Sequence, residues 1–248
     1  MSDEHFSPQS GSRLGTADPA LAGCPRLAAA GGAAGQATGG AASLPGTPGR
    51  GSGSPRRGVV VVLLAAGFGR RFGGDKLSAR LPDGRAVGEA SLALACAAWS
   101  DVVCVVRPGT DMEQVARAAG VPVIECPEAI DGMGHSLAAG VRATPEAAGW
   151  VIALGDMPFL SLATVRAVAQ AVAAGHDIVA PVHEGERGHP VGFSARLGAE
   201  LATVSGDEGA RTVVSRYRHR LVLLPVDDAG ILRDIDQPSD LTGAAGSD

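Results

Sequence analysis

"GVVVVLLAAGFGRRFGGDK", residues 58–76, joins a run of apolar residues to a loop rich in glycine and arginine. The apolar run is mostly β-branched, which indicates a strand buried on both faces of a sheet. In an open α/β sheet, ligands bind at the carboxyl ends of the strands. Glycines let the backbone approach a phosphate and offer N–H donors to it. The sequence therefore predicts a triphosphate site directly after this strand, with Lys76, the only lysine of the chain, at its end.

Strand-like and helix-like segments alternate along the rest of the chain. Runs resembling the first strand lie at 101–106, 121–126, 150–154 and 177–182, and helical stretches lie at 88–98, 110–119, 134–143 and 161–174. This alternation predicts an α/β fold, a Rossmann-like three-layer sandwich with a mostly parallel sheet. Shorter strand-like runs follow at 188–194, 221–226 and 231–236, and we expect one of them to be an antiparallel strand at a late edge of the sheet.

The composition of the chain divides it into a tail and one domain. Residues 1–57 contain few large apolar side chains, so we expect them to be a disordered, low-complexity tail. The patterned region, residues 58–242, contains no repeat or linker and is expected to form a single domain. Residues 243–248 are expected to be a flexible C-terminus.

Charge and cysteine content exclude several classes of protein. The formal net charge of −5 provides no global basic field for nucleic acid or anionic lipid. No apolar run approaches the roughly 18 residues of a membrane helix. The four cysteines, Cys24, Cys96, Cys104 and Cys126, form no CxxC pair, which argues against a zinc or dithiol site. Reduced thiols favour a cytoplasmic protein.

Two common phosphate-binding motifs do not match the loop. A dinucleotide fingerprint starting at Gly67 requires glycine at the position of Phe72, and a P-loop requires lysine at the position of Asp75. An ordinary surface loop with solvated arginines therefore stays open as an alternative.

A lone carboxylate, Asp156, follows the strand in "VIALGDMPFL", residues 151–160. A carboxylate at a strand's carboxyl end is suited to Mg²⁺, which prefers oxygen ligands and often shares substrate phosphates. The alternatives are that Asp156 caps the helix beginning near Ser161 or closes a turn before Pro158.

The loop itself carries a family resemblance. "LLAAGFGRRFGGDK", residues 63–76, resembles the signature loop of nucleotidyltransferases of the MobA/MocA type. The resemblance implies that Arg71 and Lys76 grip a nucleoside triphosphate as catalytic groups. It also implies a nucleotide site in which the loop backbone meets the base, built from Leu64, Ala65, Ala66, Gly67, Gly69, Arg71, Lys76 and Asp156.

Two acidic segments extend the resemblance to a metal site. "GDMP", which contains Asp156, is similar to the family's metal-binding motif. "RDIDQPSDL", residues 233–241, resembles the family's ending, with Gln237 where threonine is usual. The resemblance implies that Asp156 and Asp236 bind Mg²⁺ together. The alternative for Asp236 is a turn-forming aspartate before proline.

Three further segments match the family's substrate side, at Ser136, His189 and Arg211. Ser136 follows two glycines at a helix N-terminus, a place that favours an anion. His189 precedes a proline at a strand start, where a structural role is the alternative. Arg211 would lie near the first turn of a helix that Asp207 can cap, and its alternative is an ion pair with an acid.

The motifs together look most like the cytidylyltransferase branch of this family. That branch implies transfer of CMP from CTP to the phosphate of the molybdenum cofactor, with release of pyrophosphate and with Mg²⁺ as cofactor. It also implies a partner among molybdenum hydroxylases of the xanthine dehydrogenase type. The alternatives are a nucleotidyltransferase for sugar phosphates or other small molecules, a non-catalytic molybdenum cofactor chaperone, and an NAD-linked oxidoreductase.

Overall fold

The computed structural model describes residues 57–69 and 72–242. The predictions made for the N-terminal tail, for Cys24, for Arg71 and for residues 243–248 lie outside the described residues.

Strands and helices alternate as the sequence predicts over most of this region. The strands are β1 (Arg57–Ala65), β2 (Val102–Val106), β3 (Val123–Glu125), β4 (Ala147–Leu154), β5 (Ile178–His183), β6 (Glu186–Arg187), β7 (Val191–Ser194) and β8 (Leu221–Pro225). The α-helices are α1 (Val87–Ala98), α2 (Asp111–Ala118), α3 (Met133–Ala143), α4 (Leu162–Ala173), α5 (Gly198–Leu201) and α6 (Arg211–Arg216). Single 3₁₀ turns lie at Lys76–Ser78, Pro127–Asp131, Ala195–Leu197, Arg218–Arg220, Ala229–Leu232 and Pro238–Thr242.

One mixed sheet organises these elements. Strands β3, β2, β1 and β4 are neighbours and run parallel. Strand β7 pairs antiparallel with both β4 and β5, the short β6 pairs antiparallel with β5, and β8 pairs parallel with β5. The prediction of an α/β fold with a mostly parallel sheet is confirmed.

Side chains of β1 alternate between two apolar cores, one on each face of the sheet. Val61 and Leu63 pack with residues of α1, α2 and α4, whereas Val60 and Val62 pack with residues of α3 and α6. All four are at most 1% exposed. Helices therefore cover both faces, and this burial explains why the first strand is a continuous apolar run.

The position predicted for the antiparallel strand is wrong. β7 lies inside the sheet, between β4 and β5, and not at a late edge. The chain reverses after β5 through Glu184 and Gly185, and β7 fills the space between β5 and β4. Gly192 permits this arrangement, because a Cβ there would lie 2.5 Å from the side chain of Val172 on α4.

The strand predicted at 231–236 is also wrong. Residues Ala229–Leu232 form a 3₁₀ turn, in which the carboxylate of Asp228 accepts a hydrogen bond from the Gly230 N–H at 3.0 Å. The following residues lie against the end of β4, where the Ile235 N–H donates to the Asp156 carbonyl at 2.9 Å. The apolar residues that suggested a strand here are Ile231 and Ile235, and both are buried by packing although the segment is not a strand.

Cys104 and Cys126 are buried thiols. Burial raises the pKa of Cys104 to about 12. Among the helices in the described residues, none combines the length and apolarity needed to cross a bilayer.

Candidate active site

The carboxyl ends of β1 and β4 lie side by side and place Asp156 next to the glycine-rich loop. The Gly155 N–H donates to the Leu64 carbonyl at 2.9 Å. A Cβ on Gly155 would lie 3.1 Å from both that carbonyl oxygen and the Cβ of Ala65. Glycine before Asp156 is therefore a packing requirement that brings the acid to the first strand's loop.

Asp75 supports the turn that carries Lys76. Its Oδ1 accepts a hydrogen bond from the Leu77 N–H at 3.1 Å, and its Oδ2 accepts from the Ser78 hydroxyl at 3.2 Å. Asp75 is thus the N-cap of the 3₁₀ turn Lys76–Ser78. The residue that breaks the P-loop pattern in the sequence has this structural role, which the sequence analysis missed.

The Lys76 ammonium lies between two carboxylates that are far apart in the sequence. Its Nζ is 2.6 Å from Asp156 Oδ2 and 3.2 Å from Asp236 Oδ1, and the lysine side chain is 12% exposed. Burial by itself lowers the pKa of Lys76, but the charge of Asp156 and hydrogen bonds to both carboxylates raise it above the ordinary lysine value. The site therefore holds a charged ammonium that links the two acids.

Asp236 lies next to Lys76 because hydrogen bonds hold the backbone before it and after it. The preceding residue, Ile235, is hydrogen-bonded to the backbone of Asp156, as described above. Asp240 Oδ2 accepts from the N–H of Asp236 at 2.9 Å and from the N–H of Gln237 at 2.7 Å. These bonds, the one from Gln237 foremost, lower the pKa of Asp240. Asp240 is thus the residue that forms the turn, which leaves the Asp236 carboxylate to face Lys76.

The two acids fit a divalent cation. Asp156 Oδ1 is buried and has no hydrogen-bond partner among the described residues, so this oxygen can accept a ligand. Carboxylate oxygens are the ligands that Mg²⁺ prefers, often together with water and substrate phosphates. No cluster of three or more histidine, cysteine or acidic residues suited to a metal occurs among residues 57–69 and 72–242. A site built on two carboxylates is consistent with a cation that shares its remaining ligands with a substrate.

The alternative interpretation of Asp156 as a helix cap does not match the structure. Ser161 is the N-cap of α4, and its hydroxyl accepts from the Ala163 N–H at 3.2 Å. The Asp156 carboxylate instead contacts Lys76.

A cavity of about 290 Å³ opens beside the acid pair. It brings together most of the residues that the resemblance assigns to the nucleotide. Ala65 is the exception among the described ones, since it is 4% exposed and does not line the cavity. Residues of the loop, the start of α3 and the acids form the wall, including Leu64, Ala66, Gly67, Phe68, Gly69, Lys76, Ile130, Gly132, Met133, Ser136, Asp156, Asp207 and Asp236.

The glycines that precede Ser136 are required for packing at the start of α3. A Cβ on Gly132 would lie 2.3 Å from the carbonyl carbon of Gly206, and one on Gly134 would lie 2.6 Å from that of Ser205. The Gly134 N–H also donates to the Gly206 carbonyl at 2.8 Å. These glycines therefore let residues 205–207 lie against α3, which brings Asp207 to the cavity wall.

A second cavity of about 240 Å³ adjoins the first, because Met133 and Asp207 line both. His189 and Arg211 line this second cavity, whereas Ser136 lines the first. The structure thus divides the three residues predicted for the substrate side between two neighbouring cavities. Burial lowers the pKa of His189, and within residues 57–69 and 72–242 its Nδ1 has no hydrogen-bond partner.

The predicted capping role of Asp207 is wrong. Helix α6 begins at Arg211, its N-cap is Ala210, and no side chain in the described part of the chain caps it. Asp207 lies three residues before that cap and is exposed on the cavity wall. The helix begins three residues later than a cap at Asp207 would require, so the aspartate does not cap its first N–H groups.

Sequence analysis also missed Arg107, which follows β2 directly. Its Nη2 lies 3.4 Å from the Gly67 carbonyl oxygen, and its guanidinium carbon lies 4.1 Å from the centre of the Phe68 ring. A charged residue at the carboxyl end of a strand, the signal that identified Asp156, could have pointed to it.

Comparison with known proteins identifies the type of domain. The family model described as MobA-like NTP transferase domain matches residues 61–221. This range contains Lys76 and Asp156 but ends before Asp236.

Two relatives and one solved structure extend the similarity over nearly their whole lengths. The purine catabolism protein PucB of Bacillus subtilis is 31% identical over 73% of this chain and 93% of the relative. The nicotine blue oxidoreductase of Paenarthrobacter nicotinovorans is 29% identical over 72% of this chain and 92% of the relative. The structure of Rv0371C from Mycobacterium tuberculosis, a complex with manganese, is 27% identical with a TM-score of 0.62, covering 75% of this chain and 98% of that one.

Proposed function

Since this chain belongs to the MobA-like NTP transferase family, we propose that it transfers CMP from CTP to the phosphate of the molybdenum cofactor and releases pyrophosphate. The observation that carries the proposal is the contact of the Lys76 ammonium with both Asp156 and Asp236 beside the loop cavity. A cation and two acids at this edge of the sheet suit a metal-bound triphosphate.

The chemistry proposed for these residues is positioning and electrostatic stabilisation. A phosphate oxygen of the acceptor attacks the α-phosphorus of CTP, and the bond from that phosphorus to the departing pyrophosphate breaks. Lys76, together with Arg71, holds the pyrophosphate as negative charge builds on it. Mg²⁺ held by Asp156 and Asp236 would neutralise phosphate charge and polarise the phosphoryl oxygens.

Lysine suits this role because its ammonium is compact and its stem is flexible. In the structure the ammonium compensates the two carboxylates. With a metal ion on those carboxylates, the same ammonium would be available to the phosphates. Lys76 would therefore exchange a carboxylate contact for a phosphate contact when the nucleotide binds.

The two neighbouring cavities support a reaction between two substrates. We assign the nucleotide to the first cavity, where the backbone from Leu64 to Gly69 forms one wall and Ser136 another. The acceptor is assigned to the second cavity, with His189 and Arg211 toward its phosphate. Because Met133 and Asp207 line both cavities, the reacting phosphates would meet between them.

The comparisons support the finer parts of this proposal. The manganese complex of Rv0371C supports use of a divalent cation, for which we propose Mg²⁺. Because xanthine is a purine, the relative named for purine catabolism supports a partner of the xanthine dehydrogenase type. Free, buried thiols at Cys104 and Cys126 are consistent with action in the cytoplasm.

The experiment that tests the proposal measures pyrophosphate release. The protein is incubated with each of the four nucleoside triphosphates and purified molybdenum cofactor, with and without Mg²⁺. Release only with CTP, cofactor and Mg²⁺ together is the expected result. Release with sugar phosphates as acceptors would indicate a different nucleotidyltransferase, and cofactor binding without any release would indicate a chaperone.

A second candidate is an NAD-linked oxidoreductase, favoured by the relative named nicotine blue oxidoreductase. Phe72 argues against it, because a dinucleotide fingerprint needs glycine at that position. Incubation with NADH or NADPH and a dye acceptor separates the two. Consumption of the reduced nucleotide without pyrophosphate chemistry would favour the oxidoreductase.

A further inference from the structure

We propose that Arg107 is a positioning residue for nucleotide binding, which holds the Gly67–Phe68 segment of the loop in the form that receives the triphosphate. This inference rests on the proposed function of the loop cavity. Arg107 contacts the loop and not the cavity, so it would act through Phe68 and the Gly67 backbone.

Sheet pairing places Arg107 next to the loop. Ala65 at the end of β1 pairs with Val106 at the end of β2, so the residue after each strand lies at the same edge. From this position the Arg107 guanidinium lies over the Phe68 ring at 4.1 Å and points Nη2 at the Gly67 carbonyl oxygen, 3.4 Å away. A guanidinium over an aromatic face is attracted by the ring quadrupole.

Arg107 is itself held in place. The Thr110 hydroxyl donates to the Arg107 carbonyl at 2.9 Å, and the Gly109 N–H donates to the Glu113 carboxylate at 2.7 Å. Both bonds fix the turn that joins β2 to α2. The guanidinium therefore projects from an ordered turn onto a loop that lies outside helices and strands.

Arg107 forms no ion pair with a carboxylate of the described residues. Within the described part of the chain, its buried Nε has no hydrogen-bond partner. Other arginines of the chain, such as Arg85 and Arg117, are paired with carboxylates. An arginine kept beside a proposed phosphate site without a counter-ion both clamps the loop and adds positive potential to it.

Phe68 connects Arg107 to the cavity, because its ring contacts the guanidinium and also forms part of the cavity wall. It is half-buried and forms part of the cavity wall, together with Gly67 and Gly69. Gly69 has a φ of +57°, and a Cβ there would lie 2.5 Å from the Gly74 carbonyl oxygen, so the loop turns sharply after Phe68. Loss of the guanidinium would free the Phe68 ring and the Gly67 carbonyl and leave this turn less well defined.

The test compares CTP binding, measured by calorimetry with Mg²⁺, among wild type, Arg107→Met, Phe68→Leu and the double variant. Loss of a cation–π contact and a weak hydrogen bond should weaken CTP binding by about tenfold. KM for CTP should rise similarly, while kcat at saturation changes less than about threefold, because the reacting groups are untouched. The double variant should bind no more weakly than the weaker-binding single variant, because both substitutions remove the same cation–π contact.

The matched control is Arg166→Met. The Arg166 guanidinium donates to the Ala97 and Ala98 carbonyls at 2.7 and 3.2 Å, at the end of the sheet where β2 begins. This variant should lose stability comparably and keep wild-type CTP affinity. Phe68→Leu carries the test by itself if Arg107→Met does not fold.

Three results would overturn the inference: unchanged CTP affinity in Arg107→Met, losses that multiply in the double variant, or an equal affinity loss in Arg166→Met. Failure of the wild-type protein to bind any of the four triphosphates would overturn the proposed function and this inference together, and it is recognised in the wild-type experiment alone.

Discussion

Lys76 lies where a short cationic group must contact two acids at once. An ammonium is a compact charge with three donors, so it can contact Asp156 and Asp236 from one atom. A guanidinium spreads its donors over a rigid fork and would have to lie in one plane between the acids. This geometry gives a physical reason for lysine at this position in a chain whose 20 other basic residues, from a total of 21 Lys+Arg, are arginine.

Replacing Lys76 by alanine should reduce turnover strongly. Loss of one preorganised electrostatic contact costs about 2–4 kcal/mol of transition-state stabilisation, or about 30- to 1,000-fold in kcat. Steady-state pyrophosphate release measures it. Arg80→Ala is the control, since that side chain is 69% exposed and is expected to leave turnover unchanged. Near-wild-type turnover of Lys76→Ala would contradict the role given to the lysine.

The C-terminal segment, residues 228–242, completes the site. It packs against residues that come earlier in the chain, at the carboxyl end of β4 and before β7. Gly188 is one contact point: a Cβ there would lie 2.1 Å from the Ile231 carbonyl oxygen and 2.7 Å from its carbon. The His189 N–H donates to the same carbonyl at 3.0 Å. The approach of these two backbones thus controls where Asp236 lies.

Gly188→Ala should therefore displace the C-terminal segment and reduce activity. The clash is with backbone atoms, which cannot move aside as a flexible side chain can, and overpacking of this kind costs about 1–3 kcal/mol. Urea unfolding and pyrophosphate release measure the two effects. Gly58→Ala is the matched control, because the nearest atom to its new Cβ is 3.8 Å away. Equal stability and activity of both variants would show that the contact does not position Asp236.

Asp177 joins the ends of three strands and makes their stability depend on pH. Its carboxylate accepts from the Ser194 hydroxyl at the end of β7, at 2.8 Å, and from Arg196 and Arg220 at 3.2 and 3.4 Å. The Ser194 hydrogen bond, followed by the charge and hydrogen bond of Arg196, lowers the pKa of Asp177 below its ordinary value of 3.8. Its stabilisation is thus fully present above that value and is lost as pH falls through the lower pKa of the folded state.

Asp177→Asn should lower the free energy of unfolding by about 1 kcal/mol at neutral pH. The difference from wild type should shrink as pH falls below about 4, because the wild-type carboxylate then becomes protonated. Urea unfolding at a series of pH values measures it. The exposed Asp227→Asn should match wild type throughout. A difference for Asp177→Asn that is independent of pH would mean that the charge does not matter.

The two apolar cores and both cavities of the molecule are built from one continuous stretch of the chain. The buried residues of the cores extend from Val59 to Ile235, and the cavity-lining residues from Leu64 to Asp236. All of these residues lie within the domain predicted for residues 58–242, and that boundary stays a prediction.

A protein consisting of residues 57–242 should then fold and act like the full chain. Its thermal midpoint should agree with that of the full chain, because both cores are complete, and so should its kcat for pyrophosphate release. Calorimetry and the release assay measure these quantities. A large loss of either would show that residues outside this range contribute to the domain.

Features that depend on neighbouring residues could be predicted from the amino-acid pattern. β-branched runs and Ala- and Leu-rich stretches identified β1 to β5 and α1 to α4, because burial and periodicity act over a few residues. The same local logic identified the glycine-rich loop, Lys76 and Asp156 at strand ends. It failed for the capping role of Asp207, where the helix starts later than its pattern suggests.

Which distant segments meet depends on how the whole chain packs. The insertion of β7 between β4 and β5 depends on the space left by the crossover of α4, which no local pattern records. The approach of Asp236 to Asp156 depends on backbone contacts at Ile235, and the contact of Arg107 with Phe68 depends on strand pairing. Contacts between segments far apart in the chain arise only after packing has placed the backbone. The order of the amino acids alone therefore could not show that Asp156 and Asp236 meet at Lys76, or that Arg107 contacts Phe68.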